Sequence, residues 1–302
     1  MIVCINGQFL PVEKARISPL DQGFLYGNGV FETLRSYPFP FLHADHFARL
    51  QTGLAELGVT MTLRAEQVYL WLEETRQRNG LQQAYLRISA SAGESGLGMP
   101  QQERYSGEPT VVIYAQPLHP SLETDAWLER ELRTLPGSFG AYRPFPQWKS
   151  LNYLASLQGK RELLRQGFGM AEGLWISPEG WVLEGLSSNL FYWARGRLHT
   201  PPLELGILPG VTRQWVLSWA GQRGIPVVEA PFALEQMMAE AEEVWLTNAL
   251  QQVVRVRRVD GVCLPGTADA VFDLLWQDYH AASTWMQSHV QLNRGSGAGC
   301  GA

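Results

Sequence analysis

Only three lysines stand among the 24 basic residues of this 302-residue sequence, so chemistry that needs a lysine amine has few candidates. Lys149 has the most suggestive surroundings, because it lies between Trp148 and Ser150, shortly before Tyr153, where a loop rich in proline and aromatic residues meets a predicted helix. An amine among apolar groups has a lowered pKa, which favours the neutral form that makes a Schiff base. A solvated lysine at the start of a helix explains the local sequence equally well.

Two further segments and one arginine offer groups for an aromatic nitrogen and for a phosphate. Glu184 ends an apolar run before the polar turn 187–189, and a buried carboxylate there needs a partner such as a protonated pyridine nitrogen. The segment 208–213 places a Pro-Gly turn and Thr212 before a predicted helix, whose free N–H groups and dipole favour a phosphate. Arg49 adds a bidentate phosphate ligand if it faces inward. Taken singly, the glutamate is also typical of an exposed strand end and the turn of an ordinary capped helix start, and an arginine like Arg49 is more often a solvated helix residue.

Taken together, these groups match the requirements of one cofactor. Pyridoxal phosphate needs a lysine for its aldehyde, a carboxylate for its ring nitrogen, and a helix N-terminus with an arginine for its phosphate. Because the chain has so few lysines, the joint presence of all these groups favours a pyridoxal-phosphate enzyme.

Other binding and catalytic motifs are weaker or missing. The run 27–32 begins like a dinucleotide-binding fingerprint, but it ends in glutamate and leads into a strand. The sequence has no P-loop, HExxH or GxSxG motif. His43 and His46 have no third ligand near them in the sequence, so we predict no metal site and interpret them as solvated residues at a helix start. The arginines at 255, 257 and 258 are predicted to lie on a solvated strand edge.

The elements that must position these residues alternate along the chain. Asn6-Gly7 is typical of a hairpin turn, and apolar periodicity predicts helices at 43–57, 65–79, 150–166, 212–222 and 268–286. Strands are predicted at 1–10, 31–37, 85–92, 111–115, 127–135, 173–176, 182–184, 189–192 and 244–247. This pattern predicts two α/β or α+β domains. A proline-containing stretch at 117–120 places them at 1–116 and 125–290, joined by a loop at 117–124, and 291–302 is predicted to be a disordered tail.

Composition narrows the class of protein. Apolar residues make up 45% and charged residues 18%, which is typical of a globular chain. The net charge of −5 argues against nucleic-acid binding, and no apolar run approaches the roughly 20 residues that span a bilayer. The N-terminus lacks the pattern of a secretory signal, and the three cysteines are too few and too far apart for a disulfide scaffold. We therefore expect a cytoplasmic protein that acts on a small molecule.

The sequence resembles the fold-type IV pyridoxal-phosphate enzymes from about Ile5 to Asp260. This family includes branched-chain and D-amino acid aminotransferases and aminodeoxychorismate lyase. The stretches that carry the resemblance, in the order and spacing of the family, are ISPLDQGFLYG at 17–27, GVFET at 29–33, KSLNY at 149–153, EGLSSN at 184–189 and GILPGVTR at 206–213. The resemblance implies a small N-terminal α/β domain, a larger C-terminal α/β domain, the cofactor in the cleft between them, and usually a homodimer.

By this resemblance the site residues have implied roles. Lys149 is implied to form the Schiff base, Glu184 to pair with the pyridine nitrogen, and Arg49 to bind the phosphate. Tyr153 is implied to lie near the phenolic oxygen of the cofactor. The other implied cofactor-binding residues are Ser188, Asn189, Val211, Thr212, Asn248 and Ala249. If the enzyme is a lyase, Thr33 is the candidate that protonates the leaving group.

Two runs favour the lyase within this family. Residues 247–250 match the Thr-Asn-Ala/Ser-Leu type of aminodeoxychorismate lyases, and Thr33 stands where branched-chain aminotransferases carry glycine. The loop 92–98 lacks an arginine that D-amino acid aminotransferases use for the substrate carboxylate. We therefore predict a lyase that converts 4-amino-4-deoxychorismate to 4-aminobenzoate and pyruvate, in folate biosynthesis. An aminotransferase of the branched-chain or D-amino acid type is the alternative, and a non-catalytic homologue that binds pyridoxal phosphate is the second.

Overall fold

A computed structural model describes residues 1–36, 39–99, 103–105, 108–122, 128–135, 148–264 and 270–295, with side chains up to Ser283. The strands in chain order are β1 (Ile2–Ile5), β2 (Gln8–Pro11), β3 (Gly29–Ser36), β4 (Ala84–Ser91), β5 (Thr110–Gln116), β6 (Leu128–Thr134), β7 (Glu172–Ile176), β8 (Val182–Gly185), β9 (Asn189–Ala194), β10 (Arg197–Thr200), β11 (Val227–Glu229), β12 (Glu243–Asn248), β13 (Gln252–Val259) and β14 (Val262–Cys263). The helices are α1 (Gln22–Tyr26), α2 (His43–Glu56), α3 (Ala65–Arg78), α4 (Leu154–Arg165), α5 (Val211–Gln222), α6 (Leu234–Glu240) and α7 (Ala270–Gly295).

The first sheet has five antiparallel strands in the order β2-β1-β5-β4-β3. The predicted hairpin between β1 and β2 is confirmed, since Asn6 and Gly7 both have the positive φ that such a turn requires. Helices α2 and α3 pack against this sheet, and their apolar residues share one core with it, including Leu50, Leu54 and Leu72. The periodicity of both helices in the sequence predicted these buried faces.

The second sheet has nine strands and mixes parallel with antiparallel pairs. Its order is β11-β10-β9-β12-β13-β6-β7-β8, with β14 beside β13. One apolar core joins this sheet to α5 and α7 through residues such as Trp245, Trp219 and Phe272. A second core includes Met237 of α6. The predicted α/β fold class is confirmed by these two sheets and their helices, whereas the domain boundaries at 117–124 stay a prediction.

Three local predictions differ from the structure. The helix predicted at 150–166 begins at Leu154, because residues 149–151 pair with β3 instead. The predicted solvated edge at the arginines is wrong for Arg255: β13 lies inside the sheet, and Arg255 is buried against Asp273 at 2.7 Å and over the Phe272 ring. The closing helix continues to Gly295, past the predicted start of the tail at 291, and 296–302 lie outside the described residues.

Strands β10, β11, β13 and β14 and helices α1 and α6 were not predicted. Five of them are short, and β13 carries Arg255, Arg257 and Arg258 in place of a simple alternation. Most of the predicted loop before Lys149, at 136–147, lies outside the described residues. Among the helices that the structure describes, none has the length and apolar character needed to cross a bilayer.

Candidate active site

A cavity of about 450 Å³ lies where the two sheets meet. The first sheet and α2 line it with Phe31, Thr33, Arg49 and Arg87. The second sheet and α5 line it with Glu184, Asn189, Thr212, Thr247 and the turn after β12. All of the predicted site residues line this one cavity: Thr33, Arg49, Lys149, Tyr153, Glu184, Ser188, Asn189, Val211, Thr212, Asn248 and Ala249.

Lys149 is held by the backbone of the first sheet although it follows β6 in the chain. Its carbonyl oxygen accepts a hydrogen bond from the Phe31 N–H at 2.8 Å, and the Leu151 N–H donates to the Gly29 carbonyl at 2.9 Å. The Nζ atom lies 4.8 Å from the centre of the Phe31 ring. Burial of the amine and the nearby Arg49 lower the pKa of Lys149 to about 8, against the raising effects of Glu32 and Glu184. The amine is therefore prepared for nucleophilic chemistry near neutral pH.

The other two lysines do not line the cavity. Lys160 lies on α4 and donates from Nζ to the Gly169 carbonyl at 2.5 Å. Lys14 is exposed in the turn that follows β2. Lys149 is thus the one lysine whose position suits chemistry in this cavity.

Tyr153 lines the cavity beside Lys149, and its implied position near the phenolic oxygen of the cofactor stays a prediction. Its ring meets Phe31 edge to face at 5.4 Å between ring centres, and its hydroxyl donates to the Leu186 carbonyl at 3.3 Å. The two rings form an apolar wall next to the amine, which helps to keep water from it.

Glu184 is a buried carboxylate of β8 that lines the cavity. Its Oε2 accepts hydrogen bonds from Asn189 Nδ2 at 3.0 Å and from the Leu208 N–H at 3.1 Å. Asn189 Nδ2 also donates to the Leu208 carbonyl at 2.8 Å, which fixes the amide. Bonds of this kind stabilise the ionised carboxylate, the form that pairs with a protonated ring nitrogen.

The serine turn after Glu184 is ordered by a glutamate that sequence reasoning missed. Glu172 on β7 accepts at Oε1 from the Ser187 N–H and from the Ser188 hydroxyl, both at 2.9 Å. Ser188 therefore contacts Glu172 while it lines the cavity. Only the pairing of β7 with β8 brings Glu172 to this turn, and its position in the sequence gives no sign of it.

The N-terminus of α5 opens into the cavity. Its N-cap is Gly210, which has no side chain to accept hydrogen bonds from the first free N–H groups of the helix. Val211 and Thr212 are the first two residues of the helix. Thr212 also contacts Tyr279 of α7, whose pKa burial raises to about 12. Free N–H groups at the positive end of a helix form a binding site for an anion such as a phosphate.

Arg49 extends from α2 towards this helix end. Its Nη1 donates to the Pro209 carbonyl at 2.8 Å, while Nε and Nη2 donate to the two oxygens of Glu32 at 2.7 Å each. The arginine is nearly buried, so the alternative of a solvated helix residue is wrong. Arg49 therefore lies beside the start of α5, and its implied role as a phosphate ligand stays a prediction.

Glu32 and His46 form a buried pair with Arg49 that the sequence did not indicate. His46 Nδ1 lies 2.7 Å from Glu32 Oε2, so the prediction of a solvated His46 is wrong. Burial opposes ionisation of Glu32, but Arg49 and His46 outweigh it and lower the pKa of the carboxyl to about 2. His43 is half-buried against the Tyr69 ring, and burial lowers its pKa.

Thr33 and Arg87 form a polar wall on the first sheet. They are direct partners in the β3–β4 pair and both line the cavity. The Arg87 guanidinium lies 3.7 Å above the centre of the Phe31 ring, and its Nε donates to the Ser89 hydroxyl at 3.1 Å. Within the described ranges no carboxylate lies within ion-pair distance of Arg87. Sequence reasoning looked for an arginine in the loop 92–98 and missed this one on the strand, although the alternation of β4 puts it on one face with Tyr85.

The turn after β12 closes the cavity. Asn248 Oδ1 accepts from the Leu250 N–H at 3.0 Å and from the Gln251 N–H at 2.7 Å, which fixes the turn around Ala249. Arg35 donates to the Leu250 carbonyl at 3.3 Å and to the Leu122 carbonyl at 2.5 Å. The turn is thereby attached to the first sheet.

These residues fit pyridoxal phosphate. The cavity combines an amine of lowered pKa, a buried and hydrogen-bonded carboxylate, and a helix N-terminus that lacks a side-chain cap next to an arginine. The fit rests on the chemistry of the donors, because each group matches a different part of the cofactor.

Comparison with known proteins agrees with this chemistry. The family described as amino-transferase class IV matches residues 29–259. A putative branched-chain-amino-acid aminotransferase of Methanocaldococcus jannaschii is 34% identical over 264 residues, which cover 86% of this chain and 88% of the relative. An aminodeoxychorismate lyase of Bacillus subtilis is 32% identical over 287 residues, which cover 91% and 94%.

Solved structures show the same fold. The branched-chain amino acid aminotransferase of Escherichia coli has a TM-score of 0.81 at 27% identity and covers 93% of both chains. The branched-chain aminotransferase of Thermoproteus uzoniensis, solved with norvaline, has a TM-score of 0.80 at 27% identity, over 94% of this chain and 95% of that one. A putative 4-amino-4-deoxychorismate lyase of Legionella pneumophila has a TM-score of 0.77 at 23% identity, over 90% of this chain and 97% of that one, and supports the fold alone.

Proposed function

Because the chain belongs to the class IV aminotransferase family of pyridoxal-phosphate enzymes, we propose that it is the lyase that converts 4-amino-4-deoxychorismate to 4-aminobenzoate and pyruvate. This reaction supplies the 4-aminobenzoate of folate. The family membership makes the chain an enzyme of the aminotransferase or lyase type, and the choice between the two rests on the cavity wall.

The observation that carries the choice is the polar wall made by Thr33 and Arg87. A branched aliphatic side chain offers no hydrogen-bond partner to the Thr33 hydroxyl, which would have to give up water without one. The substrate of the lyase instead carries two carboxylates and an ether oxygen. Arg87 supplies a bidentate site for one carboxylate. The loop 92–98 lacks an arginine for the substrate carboxylate, and Arg87 is the residue to which we assign that role.

Lys149 and Glu184 divide the proton chemistry. When bound, the cofactor supplies an electron sink that accepts the negative charge left at the amine-bearing carbon of the substrate. Lys149 Nζ takes the proton from that carbon, as a general base of suitable pKa. Glu184 accepts a hydrogen bond from the protonated ring nitrogen and keeps that proton in place. Arg49, Val211 and Thr212 hold the phosphate.

Thr33 is the residue to which we assign the protonation of the departing group. The bond between the ring carbon and the enolpyruvyl oxygen breaks, its electron pair leaves with that oxygen, and the ring becomes aromatic. The Thr33 hydroxyl donates a proton to the leaving enolpyruvyl group. The proton that Lys149 took from the ring carbon then replaces the proton that Thr33 lost. Pyruvate therefore forms without a co-substrate. Thr33 and Arg87 are cross-strand partners. In this proposal Arg87 binds the carboxylate, and Thr33 beside it protonates the leaving enolpyruvyl group.

An aminotransferase acting on an amino acid is the second candidate function. The specific observation in its favour is the 34% identity to the putative branched-chain-amino-acid aminotransferase. Such an enzyme uses the same lysine, carboxylate and phosphate site but needs a keto-acid co-substrate. A non-catalytic homologue agrees less well with the site, because Lys149 and Glu184 are both in place.

A paired assay tests the proposal. Purified protein with bound pyridoxal phosphate is given 4-amino-4-deoxychorismate without a keto acid, and in parallel branched-chain or D-amino acids with 2-oxoglutarate. We expect steady release of 4-aminobenzoate and no exchange of amino groups. Arg87→Gln is expected to lower kcat/KM for the lyase roughly 10- to 100-fold. Arg78→Gln is the matched control, since Arg78 lies over the Phe9 ring outside the cavity. Rapid exchange with no 4-aminobenzoate formed would establish the aminotransferase instead.

We also propose that the protein works as a homodimer. Helix α1 and the loop 93–99 lie side by side, since the Gln22 N–H donates to the Gly93 carbonyl and the Gly98 N–H to the Tyr26 hydroxyl. Their surface exposes Phe24, Leu97 and Met99, each at least three-quarters exposed. Exposed apolar side chains of this size on two adjoining segments favour a protein interface. A second copy of the chain is the partner that the family resemblance implies.

A further inference from the structure

The hydroxyl of Thr247 is buried at the cavity without a hydrogen-bond partner. Thr247 ends β12, is 2% exposed and lines the same cavity as Lys149 and Glu184. Its Oγ1 has no partner among the residues that the structure describes. Nearly all buried polar atoms in proteins are hydrogen-bonded, so an unpaired hydroxyl at a binding cavity points to a ligand atom that pairs with it.

The sheet determines what this hydroxyl faces. Thr247 and Asn189 are direct partners in the antiparallel β9–β12 pair, so their side chains lie on the same face. The Asn189 amide reaches the Leu208 carbonyl, and its Oδ1 lies against Gly210, the N-cap of α5. The shared face is therefore turned towards the first turn of α5.

That first turn lacks a side-chain cap. Gly210 offers no acceptor to the free N–H groups of this 12-residue helix, and Val211 and Thr212 line the cavity with Thr247. Arg49 reaches the same place through the Pro209 carbonyl. The ligand group that meets these donors is an anion, and a threonine hydroxyl adds one more donor to it.

We propose that Thr247 is a phosphate ligand of the cofactor, with its Oγ1–H donating to a phosphate oxygen bound at the N-terminus of α5. The proposal rests on the cofactor of the family and is independent of the choice between lyase and aminotransferase. The run 247–250 pointed to Asn248 and Ala249, whereas the structure assigns a role to the first residue of the run.

The experiment compares pyridoxal phosphate with pyridoxal, which lacks the phosphate. Dissociation constants of both are measured for the full-length cofactor-free chain and for Thr247→Val, which keeps the shape of the side chain and loses the hydroxyl. We expect Thr247→Val to weaken binding of pyridoxal phosphate roughly tenfold or more and to leave binding of pyridoxal unchanged. Thr247→Ser is expected to restore the selectivity, because it keeps the hydroxyl. The ³¹P resonance of the bound cofactor should move in Thr247→Val and stay in place in Thr247→Ser.

The matched control is Thr200→Val. Thr200 is a buried threonine in the same sheet whose hydroxyl donates to the Leu190 carbonyl at 2.8 Å, and it does not line the cavity. It should lower stability without changing either dissociation constant. If Thr247→Val does not fold, Thr247→Ala provides the same comparison. Equal weakening of pyridoxal and pyridoxal phosphate, or no change in either, would overturn the proposal and assign the hydroxyl to the ring or to a buried water.

Discussion

Four charged side chains surround the amine of Lys149, and their balance with burial decides when it is neutral. Burial has the largest effect, and Arg49 and Arg87 act in the same direction, while Glu32 and Glu184 oppose them. Glu32 is itself held ionised by Arg49 and His46, so it remains charged at every pH at which the lysine titrates. The protonation of the proposed catalytic amine thus depends on residues from both halves of the cavity.

The lowered pKa of Lys149 predicts the pH dependence of cofactor attachment. Below about pH 8 the amine is mostly protonated, so the attachment rate should rise about tenfold per pH unit and level off above pH 8. An ordinary lysine would level off only near 10.5. The measurement is the growth of visible absorbance after pyridoxal phosphate is mixed with cofactor-free protein from pH 6 to 9.5.

The control for this prediction is Lys149→Ala, which should show neither the absorbance nor any turnover. Peptide mass spectrometry after borohydride reduction should place the cofactor on Lys149. Cofactor found on Lys160 or Lys14 would contradict the whole assignment of the site.

Removing the charge of Glu184 should slow the reaction and leave the cofactor in place. In Glu184→Gln the ring nitrogen loses its ionised partner, which should cost about 3 kcal/mol in the transition state, a factor of about 150 in kcat. Cofactor content should stay near the wild-type value, because the phosphate site is unchanged. Glu179→Gln, at an exposed turn between β7 and β8, is the matched control in steady-state assays. Near-native turnover in Glu184→Gln would remove Glu184 from this role.

At the level of elements, the site depends on backbones that approach one another closely. A Cβ atom at Gly210 would lie 2.0 Å from Asn189 Oδ1, so only glycine fits between the start of α5 and β9. The segment 149–151 pairs with β3 in a similarly tight way, and Gly29 there has Leu151 and the Ala90 carbonyl against it. Both glycines lie within the stretches that carry the family resemblance.

Gly210→Ala should therefore disturb the cofactor site through Asn189. The added methyl group displaces the amide that fixes Glu184 and the Leu208 carbonyl, which we expect to cost roughly 1–3 kcal/mol of stability. Affinity for pyridoxal phosphate should fall as well. Gly221→Ala on the same helix, where nothing lies within 4 Å, should be neutral or slightly stabilising. Thermal unfolding and cofactor titration measure both effects, and unchanged values for Gly210→Ala would contradict the predicted close contact.

The sequence predicted the long elements and the members of the cavity but not how they are held. Periodic patterns located α2 and α3 because each buries one face on a single core. The same reasoning placed the start of α4 too early, since the pairing of 149–151 with β3 is a tertiary contact with no local signal. Arg87 and Glu172 were missed, and His46 was wrongly predicted to be solvated, for a related reason: their partners are distant in the chain.

At the scale of the whole molecule, the cavity belongs to neither sheet alone. The first sheet contributes Arg49 and the polar wall, and the second contributes Glu184 and the N-terminus of α5. Arg35 adds a direct link, because it binds the carbonyls of Leu122 and Leu250. Any change in how the two sheets sit together alters the distance between the lysine and the anion site.

The proposed homodimer predicts that the surface of α1 and the loop 93–99 controls assembly. Phe24→Asp should shift the protein from dimer to monomer, because the charge would be buried against the second copy. Val262→Asp changes an exposed apolar residue of β14 and should leave the dimer intact. Sedimentation velocity over a range of concentrations measures the mass, and a wild-type monomer at all concentrations would contradict the proposal.

The backbone bond between Phe31 and Lys149 has a consequence for a chain that is cut in two. Lys149, the proposed Schiff-base lysine, follows β6 in sequence, yet its carbonyl is held by β3, so both halves of the chain are needed to hold it. A piece ending near residue 120 and a piece beginning there would each lack half of the lysine's anchorage. The bond between Lys149 and the cofactor should then form only after the two pieces have associated. Its rate of formation should rise with the concentration of the pieces.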